Sequence, residues 1–507
     1  MNDRKKIDFD SSTLISAKRL TKNTLWNFLG AILPMVAGLL AIPILINGLG
    51  TQRFGVLGIT WMVVGYFSLF DLGVGRALTM LVAEKLGAGR HNEIPVLVWT
   101  ALLFIIILGF TSTILALFFS PYLVRSVLKI PVALQGEALK SFYLLSASIP
   151  VILCTTSFRG ILQAYQRFDV TNVVRIFIGL FNFLGPLIVL PFSRDLYTVV
   201  GVLVIGRVIA CFIHLWLCMK YVPSLRTKIR VGRKMLRPLL TFGGWVTVGN
   251  IVRPLMTHFD RFVVGALLSM TAVTYYTTPY EVVTRLLIIP EALIGVLFPT
   301  FSTVLVQDSD RAARLFGRAL SYIFIVVFPM SLVIILFAHE LLEVWVGVDF
   351  ALHSAVVLQW LGIGILLNSL AMVPFILIQG AGRPHITTTL HLIELPFYAI
   401  GVWLLTTRLG IQGTAIAWVG RVAIDGAFLF CIVPRMLPAT APNAKRILLF
   451  SLVTLFLLTL PSMLLTLTVK LVTSGLGMAA FFVITWYFLL LPEDRLIIKK
   501  FLGHRLG

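Results

Sequence analysis

The chain has 507 residues, of which 58% are hydrophobic and only 12% charged. A soluble protein of this length carries about twice that charged fraction, so the composition excludes an ordinary soluble domain and points to a multi-spanning membrane protein. The formal net charge of +21 does not indicate nucleic-acid binding, because no basic soluble segment is present to do it and the charge sits in short loops.

In chain order, residues 1–22 are polar and basic, and the apolar run that follows is too long for a cleaved signal peptide. Hydropathy predicts fourteen spans: 23–47, 57–82, 95–118, 141–158, 176–192, 197–219, 240–266, 274–301, 319–338, 354–378, 387–406, 411–433, 447–468 and 472–491. Most approach the roughly 20 apolar residues that cross a hydrocarbon core of about 30 Å. The predicted fold class is therefore all-α membrane protein with about 14 transmembrane helices. The N-terminus, the even-numbered gaps and the C-terminus hold 29 of the 42 Lys and Arg, the odd-numbered gaps 7. By the positive-inside rule both termini are expected in the cytoplasm. Between spans three and four, Pro121–Ile130 reads as a short amphipathic interfacial piece.

A basic loop with Arg226, Lys228, Arg230, Arg233, Lys234 and Arg237 separates the first six spans from the next six. The expected organisation is a six-helix lobe over residues 1–222, a cytoplasmic linker over 223–237, a second six-helix lobe over 238–434, and two appended helices with a cytoplasmic tail over 435–507. A shift of 219 residues matches Trp26 with Trp245, Gly30 with Gly249 and Leu49 with Leu268, an echo of the internal repeats common in transporters. Gly and Pro interrupt several spans, at Pro34, Pro43, Gly179, Gly185, Pro186, Pro279, Pro290 and Pro374. Close helix packing and hinges both account for them.

Ionisable residues within apolar spans are costly and mark a cavity, a partner or a pathway. Asp71 and Arg76 share the second span, five residues apart. That spacing is about 140° around a helix, poor for mutual neutralisation. Arg76 can also snorkel to an interface. Arg207 lies in the sixth span, Arg253, His258, Asp260 and Arg261 in the seventh, Glu281, Arg285 and Glu291 in the eighth, Glu394 in the eleventh, and Arg421 with Asp425 in the twelfth. Glu281/Arg285 and Arg421/Asp425 stand at i,i+4 and can each close a salt bridge on one helix. Asp260 and Arg261 fall near a predicted periplasmic end. The four cysteines lie in apolar spans without metal spacing, and no HExxH, P-loop or GxSxG motif occurs. No metal, cofactor or catalytic residue is expected, and the chain reads as a transporter rather than an enzyme.

Trp26-Asn27-Phe28-Leu29-Gly30, Ile42-Pro43-Ile44-Leu45, Leu49-Gly50-x-x-x-Phe54-Gly55 and Tyr66-Phe67-Ser68-Leu69-Phe70-Asp71-Leu72-Gly73-Val74-Gly75-Arg76-Ala77 form a string that resembles the start of polysaccharide-biosynthesis flippases. These are the O-antigen and capsule repeat-unit translocases of the multidrug/oligosaccharidyl-lipid/polysaccharide exporter superfamily. Phe242-Gly243-Gly244-Trp245 and Asp260-Arg261 look like the opening of its second lobe. The resemblance implies a V-shaped pair of helical bundles working by alternating access in a bacterial inner membrane. It implies an undecaprenyl-diphosphate-linked oligosaccharide as substrate, moved to the periplasmic leaflet, and contact with glycan polymerase machinery as a further partnership.

A glycan head group with many hydroxyls cannot cross bare hydrocarbon, at roughly 4–8 kcal/mol per uncompensated polar group. A diphosphate suits guanidinium forks. Arg76, Arg207, Arg253, Arg285 and Arg421 are the candidate substrate-binding residues. Asp71 and Glu394, neither of which has an arginine placed on its own helix to neutralise it, are the candidates for coupling to a proton or sodium ion. Three other readings stay open: a lipid II flippase, a multidrug or cation antiporter, and a membrane glycosyltransferase or polymerase. Excess intramembrane arginine disfavours the antiporter, and short periplasmic loops disfavour the enzyme.

Overall fold

The computed structural model describes residues 17–67, 73–227, 258–442 and 467–485, with a few isolated positions near the gaps. The described chain is helical throughout. Two compact units emerge, one formed by Met1–Gly50, Val63–Tyr122 and Leu134–Asn250, the other by Thr51–Met62, Leu123–Ala133 and Ile251–Gly507.

The first unit holds α1 (Ala17–Leu49), the end of α2 (Thr51–Phe67), α3 (Val74–Gly87), α4 (Ile94–Tyr122), α5 (Val132–Ala147), α6 (Ile149–Ala164), α7 (Phe168–Val189) and α8 (Leu196–Tyr221). Small residues let these helices meet backbone to backbone, as lipid-embedded helices must when solvent supplies no hydrophobic drive. A methyl group on Gly179 of α7 would lie 2.4 Å from the Pro34 ring of α1, and one on Gly109 of α4 would lie 2.8 Å from the Pro150 Cα of α6. Of the two explanations for the Gly and Pro interruptions, close packing holds at these positions. α5 and α6 are bent by 40° at Ser148, within the span expected over 141–158. The Ser148 hydroxyl donates to the Leu145 carbonyl at 2.6 Å there. Leu123–Val127 prolongs α4 as a wide helical turn, where the sequence suggested a separate interfacial piece.

The second unit holds the start of α2, α9 (residues 258–267), α10 (Met270–Thr284), α11 (Ile288–Gln307), α12 (Ser309–Leu336), α13 (Ala338–Trp345), α14 (Val348–Gly380), α15 (Pro384–Met436) and α16 (Leu467–Ile484). α14 is its central helix, with 78% of its most apolar stretch buried, flanked by α12, α13 and α15. α15 is a helical hairpin. Its two arms meet at Gly410, whose φ of 60° breaks the helix, and the Thr406 and Thr414 hydroxyls bond across the break at 2.8 Å. α16 is tied on by stacking of Phe481 on Phe328, with ring centroids 4.4 Å apart, and by Lys470 donating to Glu340 at 2.8 Å. Burial pushes the Glu340 carboxyl up, but the bond from Lys470, a backbone hydrogen bond and the charges of Lys470 and His339 together hold the group below the ordinary carboxylate range.

Seven described helices are long and apolar enough to cross a membrane, or eight if the bent α5–α6 pair is one span. Phe118, Phe192 and Phe397 are exposed on apolar helices or their ends, as expected of a lipid-facing surface.

Candidate functional site

In the first unit Arg207 stands near the middle of α8, eleven residues from Leu196, or about 16 Å along the axis. It is half-buried, and its Nε is buried without a hydrogen-bond partner. α6 carries Arg159 and α7 carries Arg175, which lie within Coulombic reach of each other, and Arg159 reaches His214 of α8 in the same way. His214 bonds the Ala210 carbonyl through Nδ1 at 2.8 Å, and its Nε2 is buried with no partner. Sequence reasoning missed Arg159 and Arg175 because it ended one span at 158 and began the next at 176. The helices instead run to Ala164 and from Phe168, so both arginines are inside them.

Arg76 is exposed on the first turn of α3. That helix continues to Gly87, about three turns beyond Arg76. Asp71 and Arg253 lie outside the described residues.

The second unit contains two polar clusters. In the first, Asp260 and Arg261 of α9, expected near a periplasmic end, are 0% and 4% exposed. Asp260 accepts the Tyr276 hydroxyl at 2.6 Å and the Arg261 backbone amide at 2.8 Å. Arg261 reaches Glu281 of α10 at 2.9 Å and stands over the Tyr280 ring at 4.5 Å. Glu281 also meets Arg285 at 3.3 Å, as the i,i+4 spacing suggested, so this carboxylate bridges two guanidiniums. Arg285 keeps its side chain 44% exposed. It is the more available of the two cations, whereas Arg261 is structural.

The second cluster is built by the α15 hairpin. Glu394 is sixteen residues before Gly410 and Asp425 fifteen after it, so the antiparallel arms bring the two to similar depth, roughly 23 Å from the turn. His391, one turn before Glu394, joins them, and its Nε2 is 3.7 Å from Asp425 Oδ1. One ligating atom from each of the three lies within 4.8 Å of the others. The i,i+4 bridge expected between Arg421 and Asp425 does not form. Arg421 turns over the Tyr398 ring at 5.5 Å, with its Nε buried and without a partner, while Asp425 faces His391. The hairpin contact competes with the local one and wins. Glu394 was legible in the sequence as a charge in an apolar run. His391 was not singled out, although its i,i+3 spacing from Glu394 was readable.

Residues 20–305 match the polysaccharide biosynthesis protein family, more than half of the chain. The chain belongs to that family. This family member is 30% identical over 422 residues to a Shigella flexneri protein provisionally named an O-antigen transporter, an alignment covering 82% of the chain and 98% of the relative. Its fold is similar to that of a multidrug resistance MATE family transporter of the MOP superfamily in an inward-facing conformation (TM-score 0.70, 16% identity, 83% of this chain and 98% of that one). It is equally similar to the lipid II flippase MurJ in an inward closed conformation (TM-score 0.69, 16% identity, 92% and 98%). At such identities the two solved structures establish the fold.

Proposed function

We propose that the protein flips an undecaprenyl-diphosphate-linked oligosaccharide repeat unit from the cytoplasmic to the periplasmic leaflet of a bacterial inner membrane by alternating access. The observation that carries this reading is Arg207. A guanidinium near the middle of an apolar helix, with Nε buried and unpartnered, calls for an anionic ligand, because an uncompensated charge at that depth is expensive. The diphosphate supplies oxygens that a planar fork pairs with bidentately. Arg76 and Arg285, both exposed, extend the same reading, and Arg253 and Arg421 complete the proposed set. The two lobes are proposed as residues 1–222 and 238–434, with both termini cytoplasmic.

Coupling of the cycle to a proton or sodium ion belongs to the same proposal, with Asp71 as the carboxylate that takes it; Glu394, the other carboxylate singled out for this role in the sequence, stands in the cluster with His391 and Asp425. The relationship to an O-antigen transporter over nearly its whole length supports a glycan substrate over a drug. Contact with glycan polymerase machinery follows as a proposed partnership, since a flipped repeat unit is the substrate of polymerisation.

The test is translocation of a lipid-linked glycan by Arg207 variants at matched membrane levels. Arg207→Ala is expected to abolish flipping, and Arg207→Lys to restore it only in part, because an ammonium keeps the charge and loses the fork. Full activity in Arg207→Ala would remove this residue from the substrate path.

A further inference from the structure

We propose that His391, Glu394 and Asp425 form a three-ligand site for a divalent transition cation of the Zn2+ class. The inference concerns the cation at Glu394 and does not depend on what the protein transports.

Three observations converge on it. One ligating atom from each side chain lies within 4.8 Å of the other two, a separation that small rotamer changes reduce to the spacing around a single ion. Glu394 is 7% exposed, and both its carboxylate oxygens are buried without a hydrogen-bond partner. Asp425 is 8% exposed, with Oδ1 likewise lacking a hydrogen bond and His391 as its neighbour at 3.7 Å. Two buried carboxylates so placed repel each other and have lost their water. A cation removes both penalties at once.

The donor set selects the kind of cation. Hard ions such as Na+ and Ca2+ take oxygen ligands, whereas imidazole suits zinc, copper, iron and nickel. One imidazole nitrogen with two carboxylates is a donor set that zinc accepts, leaving an open position for water. His391 and Glu394 stand at i,i+3 on one helix face, the spacing by which paired Glu and His reach one metal in helical bundles. The guanidinium of Arg421 is turned over Tyr398; its charge reaches both carboxylates through space, but no ion pair within 4.0 Å joins it to either among the described residues, so their oxygens stay open to the ion. The Phe375 ring stacks on His391 with centroids 5.9 Å apart, which limits the rotation of the imidazole.

The experiment uses the full chain in nanodiscs, stripped with chelator and then dialysed against Zn2+ alone in sodium chloride buffer. The expected result is one Zn2+ per chain, with affinity reduced roughly tenfold or more in each of His391→Ala, Glu394→Gln and Asp425→Asn, on the scale that disturbing a metal site produces. His353→Ala, which removes an exposed imidazole beside Asp349, should leave the stoichiometry unchanged. With Co2+ in place of Zn2+, the visible bands should change when His391 is lost and persist in His353→Ala. Any one of the three site variants that remains monodisperse suffices. Zn2+ binding that survives the substitutions overturns the proposal, as does a wild-type chain that retains no Zn2+ and takes only sodium or a proton there. Either result would leave glycan flipping untouched.

Discussion

Arg261 and Arg207 are both arginines in apolar helices, and their surroundings assign them opposite tasks. Arg261 is enclosed by Glu281 at 2.9 Å, the Tyr280 face and Asp260, so its charge is consumed in holding α9 to α10. Arg261→Ala should destabilise the protein towards the low end of the roughly 3–5 kcal/mol that breaking a buried ion pair costs, since Arg285 still faces Glu281. The temperature at which detergent-solubilised protein loses its monodisperse peak should fall clearly below that of wild type, and an unchanged value would contradict the structural role. Arg207→Ala should leave that temperature almost unmoved while removing transport. In the sequence both residues read alike, as costly charges in hydrocarbon. What separates them is Tyr276, Tyr280 and Glu281, which lie on another helix and are brought to Arg261 only by tertiary packing.

Helices in this chain approach one another through glycine, and the packing is tightest where the obstacle is backbone. A methyl group at Gly55 of α2 would lie 1.9 Å from the Met270 carbonyl oxygen of α10, and that oxygen cannot rotate away. Gly401 in the first arm of α15 has nothing within 4 Å. Gly55→Ala is therefore expected to cost about 1–3 kcal/mol through overpacking and to lower the yield of folded protein. Gly401→Ala should be neutral or slightly stabilising, because alanine favours helix by nearly 1 kcal/mol over glycine. Equal yields from the two variants would contradict the packing described for α2 and α10. Helix existence was legible from hydropathy, but helix ends were not. α3, α6 and α7 all extend past the apolar run, because backbone hydrogen bonding continues through charged residues such as Lys85 and Arg159. The hairpin at Gly410 was legible as a gap between two spans. That Asp425 would desert Arg421 for His391 was not, because local spacing says nothing of a competing partner on the other arm.

At the scale of the whole molecule, the basic residues predict orientation and the family predicts cargo. Reporter fusions after Lys22, Arg237 and Arg505 should read cytoplasmic, and fusions after Gln135 and Glu343 periplasmic, as the 29:7 division of Lys and Arg requires. A periplasmic C-terminus would refute the even number of spans. The central claim is that this one chain moves a glycan on a polyprenyl diphosphate across a bilayer. Its most direct measurement is flipping of a defined undecaprenyl-diphosphate-linked oligosaccharide in vesicles containing only this protein, read by access of a glycan-modifying reagent to the far leaflet. Protein-dependent flipping that is lost in Arg207→Ala is the predicted result. Vesicles that leave the lipid-linked glycan in its original leaflet while carrying a cationic drug across would contradict it.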